Sequence, residues 1–238
     1  MSFEHGPDTE KAFDRIKEWL HKKDVNTVLD LSGLDIISLP NLPNIIKGLW
    51  CFNTKITCLP ELPDSLEYLY CNDTSLESLP ILPKKLYLLD CHSTNITSLP
   101  DLPNNVRKLI CYNTKLTCLP ELPDSLEYLE CYNTKISSLP KLPDSLEKLY
   151  CNNTLLSSLP DLPNNLMYLD CSHTNIRIIP KFPRILLDIN CDNCPNLLLK
   201  RKNREHIKNY KVRWNPIWEK GELSEVAKWK NKQVEKKK

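Results

Sequence analysis

The amino-acid sequence predicts an elongated α/β-type solenoid, a stack of short units that each contribute one parallel strand. Two observations lead to this prediction. Cysteines recur at an unbroken step of 20 residues from Cys51 to Cys191, and paired prolines, three residues apart, recur at the same step from Pro40 to Pro180. A single unit of this length leaves an apolar edge above and below, so neighbouring units have to stack to form a core.

Each unit is predicted to hold a short strand with one buried face. In one unit, Leu69 and Cys71 alternate with Tyr68, Tyr70 and Asn72. This period of two places Leu69 and Cys71 toward the core and the other three side chains outward. The paired prolines fix φ and favour extended or polyproline-II backbone before them, so the returning segment is expected to be extended and the strand side concave.

The unit Leu66–Pro83 reads Leu-x-x-Leu-x-Cys-x-x-Thr-x-Leu-x-x-Leu-Pro-x-Leu-Pro. This pattern resembles a leucine-rich repeat in which Cys71 replaces the usual third leucine and Thr74 replaces the usual Asn. The short length and the Pro-rich ending are similar to the repeats of secreted bacterial effectors, and the Cys/Thr variant is similar to repeats of giant viruses of amoebae. The resemblance implies the fold and does not by itself fix an activity.

Three parts are predicted along the chain. Residues 1–25 form a helical N-terminal cap, and residues 26–200 form the leucine-rich repeat solenoid of about nine units. Residues 201–238 form a basic C-terminal cap and tail, in which Trp214, Trp218 and Trp229 are expected to pack over the last repeat.

The N-terminal cap is predicted to be one amphipathic helix over Thr9–His21. Phe13, Ile16 and Leu20 recur at helical spacing there, and this face is expected to cover the exposed edge of the first repeat. A helix that binds a partner is the alternative interpretation.

The sequence favours no catalytic residue, no metal site and no cofactor. The four glycines of the chain are too far apart to form either of the two glycine-rich phosphate-binding motifs, GxGxxG and GxxxxGK(S/T). Cys91 and His92 are neighbours on a strand and therefore face opposite sides, so they cannot form a catalytic pair. Cys191 and Cys194 have a zinc-like spacing, but no second pair of ligands follows them.

The repeated Cys and Thr columns are interpreted as structural. A buried free thiol packs like a small apolar residue, as expected of Cys71 and Cys131. A hydroxyl after each strand can satisfy backbone groups where the chain turns, as expected of Thr74 and Thr134. All eleven cysteines are expected to be reduced.

Composition favours a cytoplasmic protein, including the cytosol of a host cell. No apolar run is long enough to span a bilayer, and the residues after Met1 do not resemble a secretory signal. Charge is divided unevenly, since residues 200–238 hold 14 Lys and Arg against 5 Asp and Glu, whereas residues 1–199 hold 18 against 25.

The outward positions of the strands are the candidate binding site. Seven of the nine tyrosines fall there, although solvent-facing strand positions have no packing reason to collect rings, and Tyr and Trp are enriched in binding hot spots. Aromatic stacking that only supports the sheet is the alternative. The predicted partner-binding residues are Trp50, Phe52, Tyr68, Tyr70, Asp90, His92, Tyr112, Tyr128, Tyr132, Tyr150, Tyr168 and Asp170.

Three functions remain open from the sequence. The favoured one is a monomeric protein-interaction scaffold, a host-directed effector or viral factor, whose concave aromatic and acidic face binds an unidentified protein. The second is non-specific binding of nucleic acid or an anionic surface through the basic tail. The least favoured is the substrate-recognition part of a ubiquitin-ligase system, which the resemblance to bacterial effectors implies, because no Cys follows residue 200 to serve as a ligase nucleophile.

Overall fold

The computed structural model describes residues 6–22 and 28–197, together with the backbone of 211–213. One helix is followed by strands that pair in parallel in chain order to form a single ten-stranded sheet. The elements are α1 (Thr9–Lys22), β1 (Val28–Asp30), β2 (Gly48–Trp50), β3 (Tyr68–Tyr70), β4 (Leu88–Asp90), β5 (Lys108–Ile110), β6 (Tyr128–Glu130), β7 (Lys148–Tyr150), β8 (Tyr168–Asp170), β9 (Asp188–Asn190) and β10 (Lys211–Arg213). This confirms the predicted solenoid of parallel strands.

The step of 20 residues becomes the register of the sheet. Leu69 pairs with Leu49 on one side and with Leu89 on the other, and the same register holds from β1 to β9. From β2 to β9, the middle residue of each strand and the Cys two positions later are both buried, as Leu69 and Cys71 show with 0% exposure. Because each unit packs only on its two neighbours, the core is one continuous column through the stack.

The turn after each strand depends on two residue types. The second residue after the Cys adopts a left-handed backbone with φ between 51° and 54°, as at Asn53 and Asn133. Asn and Asp tolerate this conformation best, and they occupy six of these eight positions. The Thr that follows donates its hydroxyl to the carbonyl of the Cys, at 2.8 Å from Thr74 to Cys71. A hydroxyl therefore satisfies a backbone acceptor at each turn from Thr54 to Thr174.

The convex side is extended, as predicted. Within 28–197 the structure has no helix. Each returning segment ends in a turn with a backbone hydrogen bond between residues three apart, such as Leu146 N to Pro143 O at 3.1 Å. Leu142 is buried and Leu139 packs partly against the core, while Lys141 between them is exposed.

The predicted helix is present, and of the three residues predicted to be buried Ile16 is buried, whereas the prediction is wrong for Phe13 and Leu20. Phe13 and Leu20 are about half exposed, and the buried residues are Ala12, Ile16 and Trp19. Trp19 packs in the core at this end of the stack, and the buried face lies on the Ala12 and Trp19 side of Ile16 instead of the Phe13 and Leu20 side.

Hydrogen bonds fix the helix on the first repeat. Arg15 Nη1 donates to the carbonyls of Asp30 at 3.2 Å and Ser32 at 3.1 Å, which lie at the outer edge of β1. Asp35 N donates to the Asp8 carboxylate at 2.9 Å. The helix therefore covers the apolar end of the stack and satisfies part of the strand edge that the end exposes.

Strand β10 continues the sheet where the sequence predicted a C-terminal cap. Lys211 lies opposite Asp188, three residues beyond the position that the 20-residue step requires. The predicted packing of Trp214, Trp218 and Trp229, and the side chains of the basic tail, lie outside the described residues.

Candidate protein-interaction surface

The outward positions of β2–β9, together with the second residue after each of these strands, form three parallel columns, which we call the concave strip. Each column repeats at the 20-residue step because the strands are in register. The first column is Gly48, Tyr68, Leu88, Lys108, Tyr128, Lys148, Tyr168 and Asp188; the central column is Trp50, Tyr70, Asp90, Ile110, Glu130, Tyr150, Asp170 and Asn190; the third column is Phe52, Asn72, His92, Tyr112, Tyr132, Asn152, Ser172 and Asp192.

The N-terminal end of the strip is aromatic and uncharged. The Trp50 ring lies 6.0 Å from Tyr70, edge to face, and 6.2 Å from Phe52. Tyr68 contacts Tyr87, a ring outside the three columns, at 5.7 Å. Tyr87 was not among the predicted site residues, because it does not occupy one of the outward positions that alternate with the buried Leu and Cys.

The third column contains a stack of three rings. His92 lies 4.3 Å from Tyr112 at an interplanar angle of 13°, and Tyr112 lies 4.2 Å from Tyr132 at 8°. Burial raises the pKa of both tyrosines above the ordinary value of 10.0. Strands about 4.8 Å apart bring rings in adjacent units to near stacking distance, so the stack follows from the register.

A hydrogen-bonded pair lies beside this stack. His92 Nδ1 is 2.6 Å from Asp90 Oδ1, and His92 Nε2 is 3.4 Å from Asp73 Oδ2. Asp90 is 7% exposed, and burial raises the pKa of its carboxyl group. Cys91 lies between these two residues in sequence, but its side chain is buried on the opposite face of the sheet, away from the His92 ring. Burial raises the pKa of the Cys91 thiol.

Lysines lie among the tyrosines of the first column. Lys108 Nζ is 4.8 Å from the centre of the Tyr128 ring, and Lys148 Nζ is 5.7 Å from it on the other side. Lys148 also lies 5.1 Å from the Tyr168 ring. The Tyr128 hydroxyl donates to the Glu130 carboxylate. Burial raises the pKa of the Tyr128 hydroxyl. Lys108 and Lys148 were not among the predicted site residues, although they occupy the same column as Tyr68.

The central column is acidic toward its C-terminal end. Tyr150 lies between Glu130 on β6 and Asp170 on β8, and burial followed by the nearby Glu130 raises its pKa. Asp170 accepts hydrogen bonds from the Ser172 backbone at 3.0 Å and hydroxyl at 2.7 Å, and from Asn190 Nδ2 at 3.0 Å. Both carboxylates are therefore held in place by neighbours.

The structure brings all twelve predicted site residues onto one face, but not into one cluster. They form the aromatic N-terminal end, the ring stack and the acidic C-terminal end of the strip, and Tyr128 lies between these groups with Lys108 and Lys148.

Across the described residues no three His, Cys, Asp or Glu side chains are grouped to hold a metal ion. Cys194 occupies the Thr column, 3.3 Å from Thr174 Oγ1. No helix of the described part is long and apolar enough to cross a bilayer.

No family model and no curated protein matches the chain. Solved structures are similar. YopM from Yersinia enterocolitica WA-314 is 32% identical with a TM-score of 0.59, covering 68% of this chain and 43% of that one. YopM from Yersinia pestis, a leucine-rich effector protein, is 28% identical with a TM-score of 0.74, covering 90% of this chain and 64% of that one. This chain therefore spans less than two thirds of either YopM.

A Shigella effector LRR domain shares the fold, at 24% identity and a TM-score of 0.63, covering 88% of this chain and 90% of that one. The resemblance to giant-virus repeats stays a prediction. The 20-residue units, the single parallel sheet and these similarities together identify the chain as a leucine-rich repeat protein that resembles the repeat scaffolds of bacterial effectors.

Proposed function

We propose that this chain is a protein-interaction scaffold that binds a partner protein on the concave strip. The observation that carries the proposal is that Tyr112, Tyr128, Tyr132 and Tyr150 project from a rigid sheet and are held by stacking and hydrogen bonds. Side chains that are already ordered lose little conformational entropy when a partner docks, and large rings dominate binding energy at interfaces.

Support of the sheet alone accounts less well for the strip. A purely structural ladder would be expected to continue through the units, as the buried Leu and Cys columns do. In the third column, however, Phe52 is followed by Asn72, and the stack of His92, Tyr112 and Tyr132 is followed by Asn152 and Ser172. The changing chemistry along the strip favours recognition of a particular surface.

The similarity to bacterial effectors supports a host-directed role, in which a non-enzymatic, monomeric scaffold acts in the cytosol of a host cell. The basic segment 201–238 is the second candidate, since its positive charge can bind nucleic acid or an anionic surface. Such binding would be sensitive to salt and indifferent to the concave rings.

Affinity capture from host-cell lysate with the full chain tests the proposal. In the Tyr128→Ala/Tyr132→Ala variant, the free energy of partner binding should be weaker by about 2 kcal/mol or more, which is seen as a loss of captured partner. A matched control, Lys135→Ala/Lys141→Ala, removes two exposed side chains outside the strip and should capture normally. If the double Tyr variant captures at full strength while deletion of 236–238 abolishes capture, the tail is the binding site.

A further inference from the structure

Carboxylates occupy every second strand in the central column. Asp90 lies on β4, Glu130 on β6 and Asp170 on β8, with Ile110 and Tyr150 on the strands between them. Neighbouring parallel strands are about 4.8 Å apart, so these carboxylates recur about every 9.6 Å along the solenoid. A charged ligand that lies across the strands can pair with all of these carboxylates only if its own charges repeat at a similar distance.

The charge of this part of the strip favours a cationic ligand. On β4–β9 the three columns hold five carboxylates and two lysines. Both lysines, Lys108 and Lys148, are in the first column and lie against the Tyr128 ring. The central column from Asp90 to Asp170 contains acids, Ile110 and Tyr150 without a basic residue. A ligand that follows the central column therefore meets negative charge and an aromatic ring.

Two of the three carboxylates can be reached from solvent. Asp90 is 7% exposed and is hydrogen-bonded to His92, whereas Glu130 and Asp170 are only partly buried. Their hydrogen bonds leave capacity for a ligand, because a carboxylate has about four acceptor positions. Glu130 uses one on the Tyr128 hydroxyl, and Asp170 uses three on Ser172 and Asn190, which leaves about one free on Asp170. The reachable part of the column is thus Glu130, Tyr150 and Asp170, in that order.

We propose that Glu130, Tyr150 and Asp170 bind a basic polyproline-II segment of the partner, with arginines three residues apart and proline between them. The polyproline-II helix has three residues per turn and a rise of 3.1 Å, so its faces repeat about every 9.3 Å. A β-strand repeats its face about every 6.8 Å and an α-helix about every 5.4 Å. The polyproline-II repeat is the nearest to the spacing of the carboxylates, since two turns of an α-helix span about 10.8 Å.

Each group of this ligand has a defined place. One arginine pairs with Glu130 and the next with Asp170 in charge-assisted hydrogen bonds, for which the planar guanidinium is suited. The intervening prolines pack on the Tyr150 ring, as proline-rich segments do in aromatic grooves. This inference rests on the proposed function, since it names the chemistry of the partner at the same surface.

A pair of labelled synthetic peptides tests the proposal. One contains four Arg-Pro-Pro repeats, and the other contains the same residues with the four arginines adjacent. Fluorescence anisotropy with the full chain should show the first peptide binding at least about 10-fold more tightly, a difference of about 1.4 kcal/mol. Glu130→Gln/Asp170→Asn should remove that difference. Glu121→Gln/Asp161→Asn, which makes the same change of charge at exposed positions on the convex side, should keep it.

Two results would overturn the inference: no binding of either peptide, or equal binding of both with equal losses in the two double variants, which would indicate non-specific attraction. The proposed function has its own outcome. If the peptides fail but the Tyr128→Ala/Tyr132→Ala variant still loses partner capture, the strip binds a partner of different chemistry. If capture also survives that variant, both proposals fall.

Discussion

The two faces of the same strands differ in how freely their residues vary. On the inner face, the middle residue of every strand from β2 to β8 is Leu and the next inward residue is Cys. On the outer face, adjacent units present Lys108, Tyr128 and Lys148 at the same position of the sheet. The inner face is fixed by the packing of like units, and the outer face is free to carry recognition.

The physical reason lies in what each side chain contacts. Leu129 is 0% exposed and packs against the corresponding leucines above and below it, so any change of volume is transmitted to both neighbours. Tyr128, next to it in sequence, contacts lysines and another ring at the surface. Changes on the two faces should therefore have separable effects on stability and binding.

The largest expected effect is on the inner face. Leu129→Ala in a central unit should lower the free energy of unfolding by about 2–5 kcal/mol, because the cavity lies between two packed units. Leu29→Ala, on the terminal strand beneath the N-terminal helix, should cost less because that end can relax. Urea denaturation of both variants measures this difference. Equal losses would contradict a stack held by nearest-neighbour contacts.

The buried thiols should make stability fall at alkaline pH. Burial raises the pKa of Cys131 from the ordinary 9.0 to about 12, so folding favours the neutral thiol. Its contribution is complete below about pH 9 and is lost as the pH rises toward 12, because the unfolded chain releases its proton first.

The free energy of unfolding of the wild type falls with pH in that window, and one titrating thiol contributes about 1.4 kcal/mol per pH unit to this slope. Cys131→Val should therefore make the slope shallower by that amount. Denaturation curves at several alkaline pH values give the slope. Leu129→Ala is the control, since it lowers stability at every pH without changing the slope. An unchanged slope in the Cys131 variant would show that this thiol is not protected by burial.

The same contrast should appear in thiol reactivity. Cys58 and Cys118 are exposed, and the other nine cysteines are buried. Native protein should alkylate rapidly at two positions, and protein denatured without reductant should alkylate at eleven, as counted by intact mass. Cys58→Ser/Cys118→Ser should lack the rapid phase. A count of nine or fewer in the denatured wild type would reveal a disulfide.

The sequence was sufficient for the features that repeat. The register, the Leu and Cys columns and the extended convex side all follow from one step of 20 residues, because stacking requires like residues to meet. The three ring positions 92, 112 and 132 could be placed on one column for the same reason. Whether those rings bind a partner stays a prediction.

Features that occur once were harder to predict. Leu20 and Trp19 are adjacent apolar residues on α1, and only the shape of the core end decides that Trp19 is buried. β10 breaks the 20-residue step, so the period could not locate it. The lysines beside Tyr128 were missed because a charged residue at a surface position has many partners to choose from, and only the coordinates show that it lies over a ring.

The most direct test compares two adjacent residues on β6, Tyr128 and Leu129. Unfolding free energy and partner capture are measured for Tyr128→Ala and for Leu129→Ala under conditions in which both are folded. Tyr128→Ala should change stability by less than about 1 kcal/mol and reduce capture about 10-fold or more. Leu129→Ala should lose stability and keep capture. If Tyr128→Ala loses as much stability as Leu129→Ala and captures its partner normally, the outer face supports the fold and is not the binding surface.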